Sequence, residues 1–169
     1  MIRLRLLGPP VALVIVALLM VLFVLVEAAE AQTRSDTTVL MSDNEGARRF
    51  QDALGYSDAV IAGDTIYLSG IVVGMRQGES DVAAAYDRVY RIIAGILGRS
   101  GASWDDVVDL TSFHTDVEAQ VETMAGVHKR YVKAPYPAWT AIGVSKVLGN
   151  GITEIKVTAR RPAGAPAKK

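Results

Sequence analysis

Few side chains in this 169-residue chain combine a chemically useful type with a spacing that brings it to bear. Pro135–Val144 reads Pro-Tyr-Pro-Ala-Trp-Thr-Ala-Ile-Gly-Val. Its two prolines impose an extended start and forbid a helix. The alternation that follows sets Ala138, Thr140, Ile142 and Val144 against Trp139, Ala141 and Gly143, the pattern of a strand with two different faces. The first face reads as aliphatic core. The second carries one large aromatic among small residues, which either lines a cleft or seals a subunit seam. Glu154 falls on the polar phase of a later alternating run. A carboxylate there is either a water-orienting general acid/base or a solvated charge beside Lys156. Tyr56, next to a turn, is either a ligand contact or ordinary packing.

Other chemistries find little support. Ser69 has no histidine near it in sequence to act as base, so it is not read as a nucleophile. His114 and His128 are the only histidines. They lack the close spacing of a metal pair and read as structural, and no metal site is expected. Asp105-Asp106 reads as a turn former. No phosphate loop, nucleotide fingerprint or basic stacking patch is present, and no cofactor is expected. The formal net charge is zero, so the chain lacks the basic footprint that nucleic-acid partners require. There is no cysteine, which excludes disulfides, thiol catalysis and cysteine metal ligation.

The elements that must position these residues follow a leader. Arg3 and Arg5 precede an apolar run, Val11–Val26, and Ala29-Glu30-Ala31 has a small-x-small ending. Residues 1–31 therefore read as a cleaved secretory signal or, counting the apolar run over residues 6–26, as an N-terminal membrane anchor. Either reading places the domain outside the cytoplasm, periplasmic or secreted, with membrane contact only through an uncleaved leader. Residues 32–54, polar and turn-rich over Thr33–Glu45, read as a linker or irregular segment.

Tyr56–Ile61 and Thr65–Ser69 form two short strands joined by a Gly63-Asp64 hairpin turn, and Gly70–Glu79 reads as a loop. Ser80 is the expected cap of a helix whose stripe is Val82, Ala85, Val89, Ile92/Ile93 and Ile96/Leu97. Gly98 and Gly101 end it. Val107–Thr115 is a further strand. Thr115–Glu118 has capping-box spacing and opens a second helix with stripe Val121, Met124, Val127/His128 and Tyr131. After the strand around Trp139, Asn150-Gly151 reads as a hairpin turn into Ile152–Arg160. That strand sets Thr153, Ile155, Val157 and Ala159 against Glu154, Lys156 and Thr158. Residues 162–169 read as a disordered tail. The class is α+β: a mixed sheet with two helices packed on one face. The other face stays open in a single chain, which points to an oligomer.

Gly55-Tyr56-Ser57-Asp58-Ala59-Val60, Ile66-Tyr67-Leu68-Ser69-Gly70, Trp104-Asp105-Asp106-Val107-Val108, Pro137-Ala138-Trp139-Thr140 and Ile152-Thr153-Glu154-Ile155 occur in one order across residues 55–161. In this the chain resembles the RidA (YjgF) family of small reactive-intermediate deaminases. The resemblance implies a chorismate-mutase-like α+β fold, a homotrimer closed through the open sheet faces, and a small-molecule ligand in the clefts between subunits. Active members grip a substrate carboxylate with an arginine, in a bidentate pair that an aromatic does not replace.

Carried onto this chain, the substrate-binding positions are Tyr56, Ser69, Gly70, Trp139 and Thr140, and the water-orienting catalytic position is Glu154. Trp139 stands where the arginine is expected. Ala125 lies near the place of an expected asparagine, and Ile71 where glutamine is common. The expectation is an arginine-lacking branch that binds a small organic metabolite, with enamine/imine deaminase activity weakened, altered or lost. Two alternatives stand beside it. One is an active 2-iminobutanoate/2-aminoacrylate-type deaminase using Arg76, Lys146 or Lys156 as the cation. The other is a structural or chaperone-like trimer without catalysis.

Overall fold

The computed structural model describes residues 37–162 and residue 164. The leader expected over residues 1–31 lies outside the described residues, as does most of the expected tail. Among the described residues no helix is long and apolar enough to cross a membrane.

Strand β1 (Thr38–Leu40) and helix α1 (Glu45–Leu54) occupy the segment expected to be irregular. The Asn44 side chain caps α1 by accepting from Ala47 N, and Gly55 ends it in the left-handed region at φ 75°, where glycine carries no Cβ penalty. Gln51 is its only buried residue. Ala47, Phe50 and Leu54 recur at helical spacing on one face of this helix. A buried amide also ties it to the domain: Ser42 N donates to Gln51 Oε1 (2.9 Å) and Gln51 Nε2 donates to Asp58 Oδ1 (2.6 Å).

Strands β2 (Ala59–Ala62) and β3 (Thr65–Leu68) form the expected hairpin, with Gly63 at φ 61°. Strand β4 (Ile71–Val73) follows, where a loop was expected. Helix α2 (Val82–Arg99) is capped by Asp81 rather than Ser80. Strand β5 (Val107–His114) leads to helix α3 (Val117–Tyr131), whose cap is Asp116, one residue past the Thr115 of the expected box. Strands β6 (Ala138–Gly143) and β7 (Thr153–Arg160) complete the domain.

The sheet order is β1-β2-β3-β7-β5-β6, with β4 also pairing β7. All pairings are antiparallel except β5–β6. The parallel pair needs a crossover, and α3 supplies it. The mixed α+β sheet is the expected class, with α1 as a third helix. Its main core lies between the sheet and helices α2 and α3: Ile66, Leu68, Leu110, Ile155 and Val157 are buried with Tyr86, Tyr90, Ile93, Leu97 and Met124. Each such side chain contributes roughly 1.5–3 kcal/mol by leaving water.

Two features of the last strands differ from expectation. The Asn150-Gly151 hairpin does not form, because β5 lies between β6 and β7. Asn150 does turn the chain, at φ 57°, but a local turn signal cannot say which strand the chain pairs with next. The faces of β6 are also reversed. Trp139 is in register with Leu110 and joins the core side, whereas Thr140 and Ile142 are exposed on the open face. Both phases of β6 are apolar enough to be buried, so alternation revealed two faces without revealing which one the helices cover.

Candidate functional site

Strands β3 and β4 run consecutively along the same edge of β7, and Ser69-Gly70 lies between them. Glu154 of β7 is in register with Val72 of β4, on the phase opposite the buried Thr153 and Ile155. The Glu154 carboxylate lies directly over Gly70: a Cβ built there would fall 1.8 Å from Oε1 and 2.7 Å from Cδ. Only glycine admits this approach. Among the described residues Glu154 has no hydrogen-bond or ion-pair partner, so its oxygens are free to accept from a ligand or a water.

Ser69 is committed differently. Its backbone N–H donates to Asp58 O (3.0 Å) and its hydroxyl to Ser57 O (2.6 Å). The hydroxyl proton is thus engaged, and the oxygen is left as an acceptor. Tyr56 follows the end of α1, where Gly55 N and Tyr56 N both donate to Gln51 O. Its ring meets Phe50 edge-on at 6.3 Å.

These residues line one groove of about 1180 Å³ between α1, α2, the β3–β4 junction and the turn at Leu148-Gly149. Tyr56, Ser69, Gly70 and Glu154 are brought together there; Trp139 and Thr140 are not in its lining. Trp139 packs on His128, with ring centroids 5.0 Å apart, and donates from Nε1 to Ser112 Oγ (2.9 Å). Thr140 stands on the opposite, exposed face of β6. Within one chain the indole therefore stands apart from this groove.

The groove contains one cation that sequence reasoning did not find. Arg99, at the end of α2, is in the lining with Asp43 and Asp58 and is bound by both. Nε lies 3.3 Å from Asp43 Oδ2, Nη2 bonds Asp58 Oδ2, and Nη1 donates to Met41 O at 2.7 Å. Arg76, Lys146 and Lys156 do not line it. Phe50, Gln51 and Leu54 of α1 were also missed. Their signal was the pair of terminators, Asn44 as cap and Gly55 past the end.

Both histidines are buried away from the groove. His114 Nε2 lies 2.8 Å from Ser112 Oγ and its Nδ1 3.3 Å from Thr153 Oγ1, while His128 Nδ1 lies 3.0 Å from Tyr90 OH. Burial holds both imidazoles below their usual pKa, which favours the neutral form. Among the described residues no group of three or more His, Asp or Glu is placed to hold a metal ion.

Comparison with known proteins gives a consistent result. The family model described as Endoribonuclease L-PSP matches residues 46–161. RutC family protein YjgH of Escherichia coli is 39% identical over 114 residues, covering 63% of this chain and 83% of that protein. A Dermatophagoides farinae protein named 2-iminobutanoate/2-iminopropanoate deaminase is 30% identical over 105 residues, covering 60% and 81%. Among solved structures, Protein YJGH superposes with TM-score 0.61 at 34% identity, covering 74% of this chain and 95% of that one. A YjgF/YER057c/UK114 family member from Mycobacterium tuberculosis gives TM-score 0.63 at 27% identity, covering 73% and 98%.

Proposed function

The chain belongs to the Endoribonuclease L-PSP family, that of the YjgF/RidA proteins, and from that premise we propose that it binds a small organic molecule in clefts completed by neighbouring copies of a homotrimer. Glu154 orients the molecule or a water beside it. Deaminase turnover of imines that carry a carboxylate is weak. One observation carries this reading: Glu154 lies free over Gly70, while the only guanidinium lining the groove among the described residues is already held by two aspartates.

The chemistry open to such a groove is hydrolysis of a carbon–nitrogen double bond. Water adds to the carbon of an iminium group, Glu154 accepts a proton from the water and returns one to nitrogen, and the bond breaks to leave a carbonyl and ammonium. The relative named as an imine deaminase supports this class of reaction. What the groove lacks among the described residues is a free cation for a carboxylate, whose loss from a buried pair costs roughly 2–5 kcal/mol. We place the domain outside the cytoplasm on the character of residues 1–31. N-terminal sequencing of the protein from its native host tests that part, with a start near Gln32 expected.

Ammonia release from 2-iminobutanoate, generated in the assay, tests the main reading. Little acceleration over the uncatalysed rate is expected, together with saturable binding of small apolar probes that Glu154→Ala weakens. Arg99 carries a second reading. If a substrate carboxylate displaces Asp43 from it, turnover is rapid and Arg99→Ala abolishes it.

A further inference from the structure

The groove holds three carboxylates, Asp43, Asp58 and Glu154, against the single guanidinium of Arg99. Because Arg99 is bound by both aspartates, that cluster presents no uncompensated positive charge, and Glu154 adds a further negative one. Much of the remaining lining is apolar and open to solvent. Phe50, Leu54, Ile92 and Leu148 are all among the exposed large hydrophobics of the domain. Phe50 and Tyr56 contribute aromatic rings to the same lining. Ring faces attract organic cations, an unpaired carboxylate attracts them more strongly, and an anion entering the groove meets repulsion instead.

Building on the binding role proposed above, we infer that the groove selects small apolar molecules bearing an ammonium or iminium group and discriminates against carboxylates. The nitrogen end sits against Glu154 and the aromatic rings, and the hydrocarbon end lies along Leu54, Ile92 and Leu148. The carboxylate-free imine, rather than the imino acid, is then the substrate class that fits. Two features of the chain are explained together: a carboxylate kept free over a glycine, and an arginine neutralised by a pair of aspartates in the same cavity.

The test uses three probes of one shape, hexylamine, hexanol and hexanoate, titrated calorimetrically into the full-length protein at neutral pH and low salt. Hexylammonium is expected to bind about tenfold more tightly than hexanol, a difference of about 1.4 kcal/mol, with hexanoate weakest and the spread narrowing as salt is added. Glu154→Gln is expected to remove most of the preference of hexylammonium over hexanol. Phe50→Leu, at a position half exposed to solvent, is expected to reduce it separately. Hexanoate binding as tightly as hexylammonium overturns this inference and leaves the binding role intact. Failure of all three probes to bind overturns both.

Discussion

Gly70 and Glu154 are the pair on which the proposed chemistry rests, and among the described residues the Glu154 carboxylate makes no hydrogen bond or ion pair. A methyl group at Gly70 would collide with the carboxylate. Glu154 has a flexible side chain, so the collision is relieved by swinging it away rather than by unfolding. Gly70→Ala is therefore expected to reduce probe binding to the level of Glu154→Ala while shifting the urea midpoint little; titration and unfolding on the same preparation check both. Trp139 behaves in the opposite way. It is half-buried, packed on His128 and bonded to Ser112. Trp139→Arg puts a charge against a buried imidazole held neutral, which costs roughly 2–3 kcal/mol. Within one chain it brings no guanidinium to the groove, so we expect a lower denaturation midpoint and no gain in imine hydrolysis. Recovery of turnover in that variant would mean that the indole faces the cleft.

At the scale of elements, strands β2, β3, β5 and β7 and helices α2 and α3 were legible because each shows one clear periodicity between turn or cap residues. The placement of Glu154 on the open phase of β7 came from the same pattern. Helix α1 was not legible. Its apolar face of Ala47, Phe50 and Leu54 is short and lines the groove rather than the main core, and the buried Gln51 amide that ties it down leaves no periodic trace. With it went Phe50, Leu54 and the Arg99–Asp58 contact, since a pairing between residues so far apart in sequence has no local signature. The faces of β6 and the partner of β7 failed for a related reason, because tertiary neighbours settle both.

Two buried imidazoles also give elements β5 and α3 a pH response. In the unfolded chain they titrate near 6.5, whereas in the fold burial lowers both pKa values. The unfolded state therefore takes up protons first, so the contribution to stability is complete above pH 6.5 and is lost as pH falls below it. Glu79, held to about 2 by Arg88, changes stability only at lower pH. Thermal midpoints are expected to be flat from about pH 8 to 7 and to fall between about 6.5 and 5, and His128→Gln should flatten part of that slope. A midpoint that rises on acidification in this window would refute the assignment.

At the scale of the whole molecule, the helices cover one face of the sheet and leave the other bare. Tyr67 is 49% and Ile142 41% exposed on that face, a large apolar area for a solitary chain. Association through it is expected to give three chains per particle by light scattering, and Tyr67→Glu is expected to release single chains and weaken probe binding. A wild-type particle of one chain would remove the shared cleft. The most direct measurement of the account is kcat/KM for ammonia release from 2-iminobutanoate by the native protein, beside an arginine-bearing relative under the same conditions. Loss of roughly 2–5 kcal/mol in carboxylate binding predicts a value lower by about thirtyfold to a few thousandfold. A value equal to the relative's, lost on substitution of Glu154, would contradict the claim that this groove cannot hold a carboxylate.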